Sequence, residues 1–179
     1  DEINAALDSA QTLSEIDDIY RPYRPKRKTR ASVAKEKGLE PLANEIFEQK
    51  KDSKDPLIMA EAFINTENGV ETAADALQGA MDIIAENISD DAGIRKRLRV
   101  VAMAQSILCA KAADENTDSV YRQYYDYHEP VAKVASHRIL AIDRGEKEEF
   151  LKVSVDFDIN KALNIVCSTV LKPNSPCTE

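Results

Sequence analysis

Tryptophan is absent from this chain, glycine occurs only five times, and aromatic residues make up 6% of it. A barrel or sandwich needs Gly-rich turns and aromatic or β-branched strands, whereas Ala, Glu, Lys, Leu and Ile dominate here, so an all-α fold is expected. No run approaches the roughly 20 apolar residues that would cross a bilayer, and no basic-then-apolar leader is present, so a soluble, cytoplasmic protein without membrane contact is expected. Three cysteines, Cys109, Cys167 and Cys177, form no closed disulfide set and no CxxC spacing, which argues for a reducing compartment. Cys109 lies in an apolar run read as helical, which favours a buried, inert thiol.

The signatures of chemistry are missing as well. Phosphate and dinucleotide loops need clustered glycines, yet Gly38, Gly69, Gly79, Gly93 and Gly145 are all isolated. The two histidines, His128 and His137, flank a proline and have no nearby cysteine, so no metal set and no cofactor is implied. There is no GxSxG frame, and the acid pairs Asp17-Asp18, Asp90-Asp91 and Glu148-Glu149 fall at helix starts and faces, where they serve as dipole or solvation devices. The expectation is therefore a chain that is not an enzyme.

What is present is helical patterning over 179 residues, enough for one domain or two small lobes. The chain opens at Asp1 inside helix-forming sequence (Ile3, Ala6, Leu7, Ala10), which reads as a fragment of a longer protein. Thr12 and Glu15 have the spacing of a capping box ahead of Leu13, Ile16 and Ile19. Pro22 and Pro25 then force an extended strap. Residues from Thr29 or Arg30 to Gly38, and then Leu39 to Phe47, predict a helix-turn-helix-like pair. Asp55 with Pro56 starts a short apolar helix, and residues 70–88 and 92–113 predict the two long ones. Residues 119–125 read as one or two helical turns before a Tyr-rich loop, and Ser136 caps a helix that Gly145 stops. The one strand signal is the alternation of Leu151, Val153, Val155 and Phe157, which must find a partner elsewhere. Asp158 starts a last helix to about Leu171, and residues 172–179 predict a frayed end. The domain reading is a basic strap plus helix pair at 12–51 and a helical array at 55–172, with at most one short strand or hairpin.

Charge is the most informative feature. The net charge is −8, but residues 20–37 hold eight cations against one acid, Glu36. These are Arg21, Arg24, Lys26, Arg27, Lys28, Arg30, Lys35 and Lys37, interleaved with Tyr20 and Tyr23 on a proline-stiffened backbone. Such a segment can neutralise successive phosphates of RNA or DNA while tyrosines stack, making all eight candidate nucleic-acid-binding residues. The alternative is an internal strap in which the arginines bridge acidic helices and the tyrosines anchor to the core. The second helix of the pair is acidic at Glu40, Glu45 and Glu48 and has no cation near its start, which argues against base-specific readout.

The run from Thr12 to Ala43, centred on Tyr20-Arg-Pro-Tyr-Arg-Pro-Lys-Arg-Lys-Thr-Arg30, resembles the N-terminal region of the Tex family of bacterial transcription accessory proteins. Ala62-Phe-Ile, Gly69-Val, residues 76–86, Ser136-His-Arg-Ile-Leu-Ala-Ile-Asp-Arg-Gly-Glu146 and Leu151-Lys-Val extend the likeness along nearly the whole chain. The resemblance implies a helical segment that, in the family, leads into RNase H-like, helix-hairpin-helix and OB-fold RNA-binding domains, none of which follows here. It implies a link to transcription and carries over no catalytic residue. Two readings result: a module that touches nucleic acid through its basic segment, or a platform that orients RNA-binding domains and meets the transcription machinery without nucleic-acid affinity of its own.

Overall fold

The computed structural model describes residues 2–24 and 28–178. They fall into two compact units, one of residues 1–96 with 166–179 and one of residues 97–165.

In the first unit the described helices are α1 (Glu2–Ser9), α2 (Leu13–Tyr20), α3 (Arg30–Glu36), α4 (Glu40–Glu48), α5 (Pro56–Glu61) and α6 (Ala73–Asp90), and α7 (Ala92–Gln105) begins there. Their starts follow local capping chemistry. The Thr12 hydroxyl accepts the Glu15 amide, though the Glu15 carboxylate accepts from Gln11 and not from Thr12. Thr29 with Ser32 and Thr72 with Asp75 form full capping boxes, and Asp55 caps the Pro56 helix by accepting from Leu57. Gly38, at φ 83°, makes the left-handed turn between α3 and α4.

The core of this unit is where α6 meets α3, α4 and α5. Ala76, Ala80 and Ile83 line one face of α6 at helical spacing and pack against Ala31, Ala34, Leu39, Leu42, Ala43, Ile46, Met59 and Ala60. The small residues on α6 let α3 approach closely. The end of the chain belongs here too, and it is not the frayed tail that its prolines and polar residues suggest. Gln49, in the left-handed region at φ 50°, donates to Val170 O and accepts from Lys172 N, while Ser175 donates to Lys50 O. Cys177 then packs on the core. These bonds join positions more than 120 apart, and nothing local in sequence encodes them.

The second unit corrects the all-α expectation. Its centre is a three-stranded antiparallel sheet of β1 (Ile107–Ala112), β2 (Asp126–Pro130) and β3 (Leu151–Asp156), in the order β2-β1-β3. The predicted helix over 92–113 ends at Gln105, and its apolar continuation is the middle strand. A short, continuous apolar run fits a buried strand as well as a helix, so periodicity alone could not separate them. The Tyr-rich loop is β2, preceded by a single 3-10 turn at Arg122–Tyr124. The strand signal at 151–157 was sound, and its partner lies within the chain: Ala110 stands opposite Val153, and Cys109 opposite Ser154. Cys109 is buried, in a strand.

Helix α8 (Ser136–Lys147) covers the sheet, burying Ile142 with Ala110, Tyr121, Tyr124 and Leu151. Gly145 sits inside this helix and does not stop it. The space that a Cβ would need there is filled by Leu151 and Tyr121. Helix α9 (Ile159–Val170) starts in this unit, with the Asp158 carboxylate accepting from Asn160 N.

Candidate nucleic-acid interface

Two of the eight candidate cations, Lys26 and Arg27, lie outside the described residues, as does Pro25. Of the other six, five stand against a carboxylate. Arg21 Nε donates to Asp90 Oδ1 at 2.8 Å, and Arg24 Nη2 to Asp17 Oδ1 at 3.0 Å with its guanidinium 5.9 Å above the Tyr20 ring. Lys28 Nζ is 3.7 Å from Glu36 Oε2, Arg30 Nη2 is 3.5 Å from Asp82 Oδ1, and Lys35 Nζ is 3.5 Å from Glu40 Oε1. Lys37 Nζ donates to the Gly69 carbonyl at 2.7 Å.

These pairs differ in kind. Asp90 is almost buried, its side chain 10% exposed, and Arg21 reaches it from the 3-10 turn Arg21–Tyr23 that follows α2. An ion pair on a buried carboxylate is fixed, because losing the cation would leave desolvated charge behind. Lys28 and Glu36 are 71% and 67% exposed, and a pair so loose and so wet holds neither side chain in one geometry, whereas Arg30, 86% exposed, reaches an Asp82 that is only 16% exposed. Tyr20 and Tyr23 are both exposed, not anchored inward as the strap reading supposed.

A second basic run, Arg95-Lys-Arg-Leu-Arg99 on α7, has no place among the candidates, although five residues with four cations beside Asp90 and Asp91 were visible in the sequence. Arg95 Nε donates to Asp18 Oδ1 at 2.6 Å, with Asp18 5% exposed, and Lys96 Nζ lies 2.7 Å from Glu15 Oε1. The Lys96 ammonium, followed by the Gln11 amide, holds the Glu15 carboxyl below its usual range. The two ends are thus cross-linked: α2 lends a carboxylate to α7, and the turn after α2 lends a guanidinium to the end of α6.

A groove of about 610 Å³ runs beside α3 and α6, lined by Lys28, Arg30 and Lys37 together with Glu71, Asp75 and Asp82. Such mixed walls give no uniform field for a polyanion. Among the described residues no three His, Cys, Asp or Glu side chains converge as a metal set, and no helix is long and apolar enough to cross a membrane.

A further tight cluster of titratable groups lies in the second unit and acts as a brace. The Tyr127 hydroxyl donates to Glu129 on β2, and Arg138 Nη1 on α8 donates to the same oxygen at 2.7 Å. Tyr127 first and Arg138 second hold the Glu129 carboxyl below its usual range. A carboxylate whose folded pKa is depressed contributes stability above its unfolded value, near 4.5, and loses it as pH falls through the lower folded value. Thermal melts of the second unit from pH 7 down to 3 are expected to show this acid-side loss, and Glu129→Gln should flatten it. An unchanged pH slope in the variant would show that the brace carries none of it.

Against known proteins, residues 51–173 match the family model described as Tex central region-like. The chain is 44% identical over 160 residues to uncharacterized protein YdcI of Bacillus subtilis, covering 87% of this chain and 22% of that protein. It is 35% identical over 159 residues to protein tex of Bordetella pertussis, covering 88% and 20%. It is 31% identical over 159 residues to transcriptional accessory protein Tex of Neisseria gonorrhoeae, again 88% and 20%. The chain thus spans about a fifth of the length of these relatives. With a family model over more than half of its residues, the chain belongs to the Tex family.

Proposed function

We propose that the chain is a non-catalytic structural module of a Tex-like transcription accessory protein, one that orients neighbouring parts of the longer polypeptide and offers a surface to the transcription machinery in the cytoplasm. One observation carries this reading: Arg21 and Arg95 each sit on a nearly buried carboxylate, Asp90 and Asp18. The first cation of the basic segment is thereby committed to holding the chain together.

A second reading rests on its own observation. Lys28 and Arg30 are themselves largely exposed, and the exposed Lys28–Glu36 pair at 3.7 Å contributes only about 0–1 kcal/mol, so a phosphate can displace its carboxylate. Contact of that kind is weak, independent of sequence and salt-sensitive.

Titration of the chain with labelled single- and double-stranded RNA and DNA at about 50 and about 200 mM salt separates the two. The structural reading expects no salt-sensitive binding, and a loss of about 2 kcal/mol in Arg21→Ala, below the usual cost for a buried pair because Arg21 is itself half exposed. The contact reading expects affinity that falls steeply with salt and disappears in Lys28→Ala/Arg30→Ala while the melting temperature stays put.

A further inference from the structure

Among the described residues each outer strand of the sheet has one unpaired edge, and the two edges differ. β2 carries Pro130, opposite Ile107, and Asp126, opposite Lys111; a proline and an acid are ordinary guards against further pairing. β3 has no proline, and its two charges, Lys152 and Asp156, are of opposite sign. Among the described residues its backbone bonds only to β1, and alternate residues of any strand turn their N–H and C=O groups away from the one partner they have.

The side chains of β3 are self-complementary about its middle. About Ser154, Val153 mirrors Val155, Lys152 mirrors Asp156, and Leu151 mirrors Phe157. Two antiparallel copies centred on Ser154 would set each Lys152 opposite an Asp156 and each Val153 opposite a Val155, at the spacing where cross-strand pairs act on one another. The single chain leaves both kinds of contact unmade. Val155 is 58% exposed for an apolar strand residue. Lys152 stands in register with Lys111 of β1, a like-charge pair, and among the described residues neither Lys152 nor Asp156 has an ion-pair partner. An Asp156 from a second copy would answer the Lys111–Lys152 repulsion.

We infer that β3 is a self-complementary edge at which two copies of this chain join antiparallel about a two-fold axis through Ser154, extending the sheet from β2-β1-β3 into its symmetry mate. The contact is isologous and closes on itself, so it yields a dimer and not a fibre. An interface of two short strands lies below the area of stable dimers, so the association is weak and shows only at high concentration.

Sedimentation equilibrium on the whole chain from about 10 µM to about 1 mM spans the range of such weak association. The weight-average mass should climb from 19.9 kDa towards twice that value. Asp156→Lys, which sets Lys152 against a lysine, should weaken dimerisation about tenfold or more, and so should Lys152→Asp. The swap Lys152→Asp/Asp156→Lys restores opposite charges and should return the wild-type curve, with circular dichroism confirming that each variant is folded. A mass that stays monomeric at the top concentration overturns the inference, and so does association that all three variants leave unchanged.

Discussion

Arg95→Ala is expected to destabilise the first unit by about 3 kcal/mol, the lower end of the cost of breaking a buried ion pair. The guanidinium lies 2.6 Å from Asp18, whose side chain is 5% exposed, while Arg95 keeps 31% of its own surface in water. Truncation therefore removes a cation from a carboxylate that solvent reaches poorly, and it also takes away the bond from Nη1 to Ser89 O at 3.3 Å. Urea unfolding followed by helical signal measures the loss. Pairing the change with Asp18→Asn in a double-mutant cycle separates the coupling from the packing of the arginine stem. If Arg95→Ala alone stays within about 0.5 kcal/mol of the parent, as surface substitutions do, the cross-link between α2 and α7 is not structural and the proposed role falls with it.

Gly145→Ala should act on the second unit with a loss of about 2 kcal/mol. Alanine would normally strengthen a helix interior by up to about 1 kcal/mol over glycine, so the sign depends on space. The added Cβ would lie 2.7 Å from Leu151 Cδ1, 3.0 Å from Leu151 Cγ and 3.1 Å from Tyr121 Cδ1. Both neighbours are buried and cannot swing away, and overpacking of this kind costs about 1–3 kcal/mol. Urea unfolding should show the loss, and in a Leu151→Ala background it should shrink below about 1 kcal/mol, because the two positions share one volume. A Gly145→Ala protein more stable than the parent would mean that the glycine has no packing duty.

Those two sites show how unevenly the sequence speaks. Gly145 was legible as special but was assigned the wrong task, since a glycine near the end of an apolar pattern reads as a stop, and only the approach of Leu151 and Tyr121 shows it to be a space-maker. The basic segment was legible as a concentration of charge. Its division into Arg21, anchored on a buried carboxylate, and outward Lys28 and Arg30 depends on where Asp90 and Asp82 fall, 69 positions beyond Arg21 and 52 beyond Arg30. The α7 cations carried the same kind of signal and their partner Asp18 lay in plain view, but charge runs do not announce which acid they will meet.

By itself the sequence determined the helix starts at Thr12, Thr29 and Asp55, the turn at Gly38, the alternation of β3 and the family likeness, because each depends on residues a few positions apart. Tertiary structure alone decided that Ile107–Ala112 is a strand, that the chain end is fastened by Gln49, and that two carboxylates are buried under arginines. An apolar run takes the conformation its neighbours can complete with hydrogen bonds, and a charge takes the partner that burial brings to it. Both are settled by residues far away in sequence.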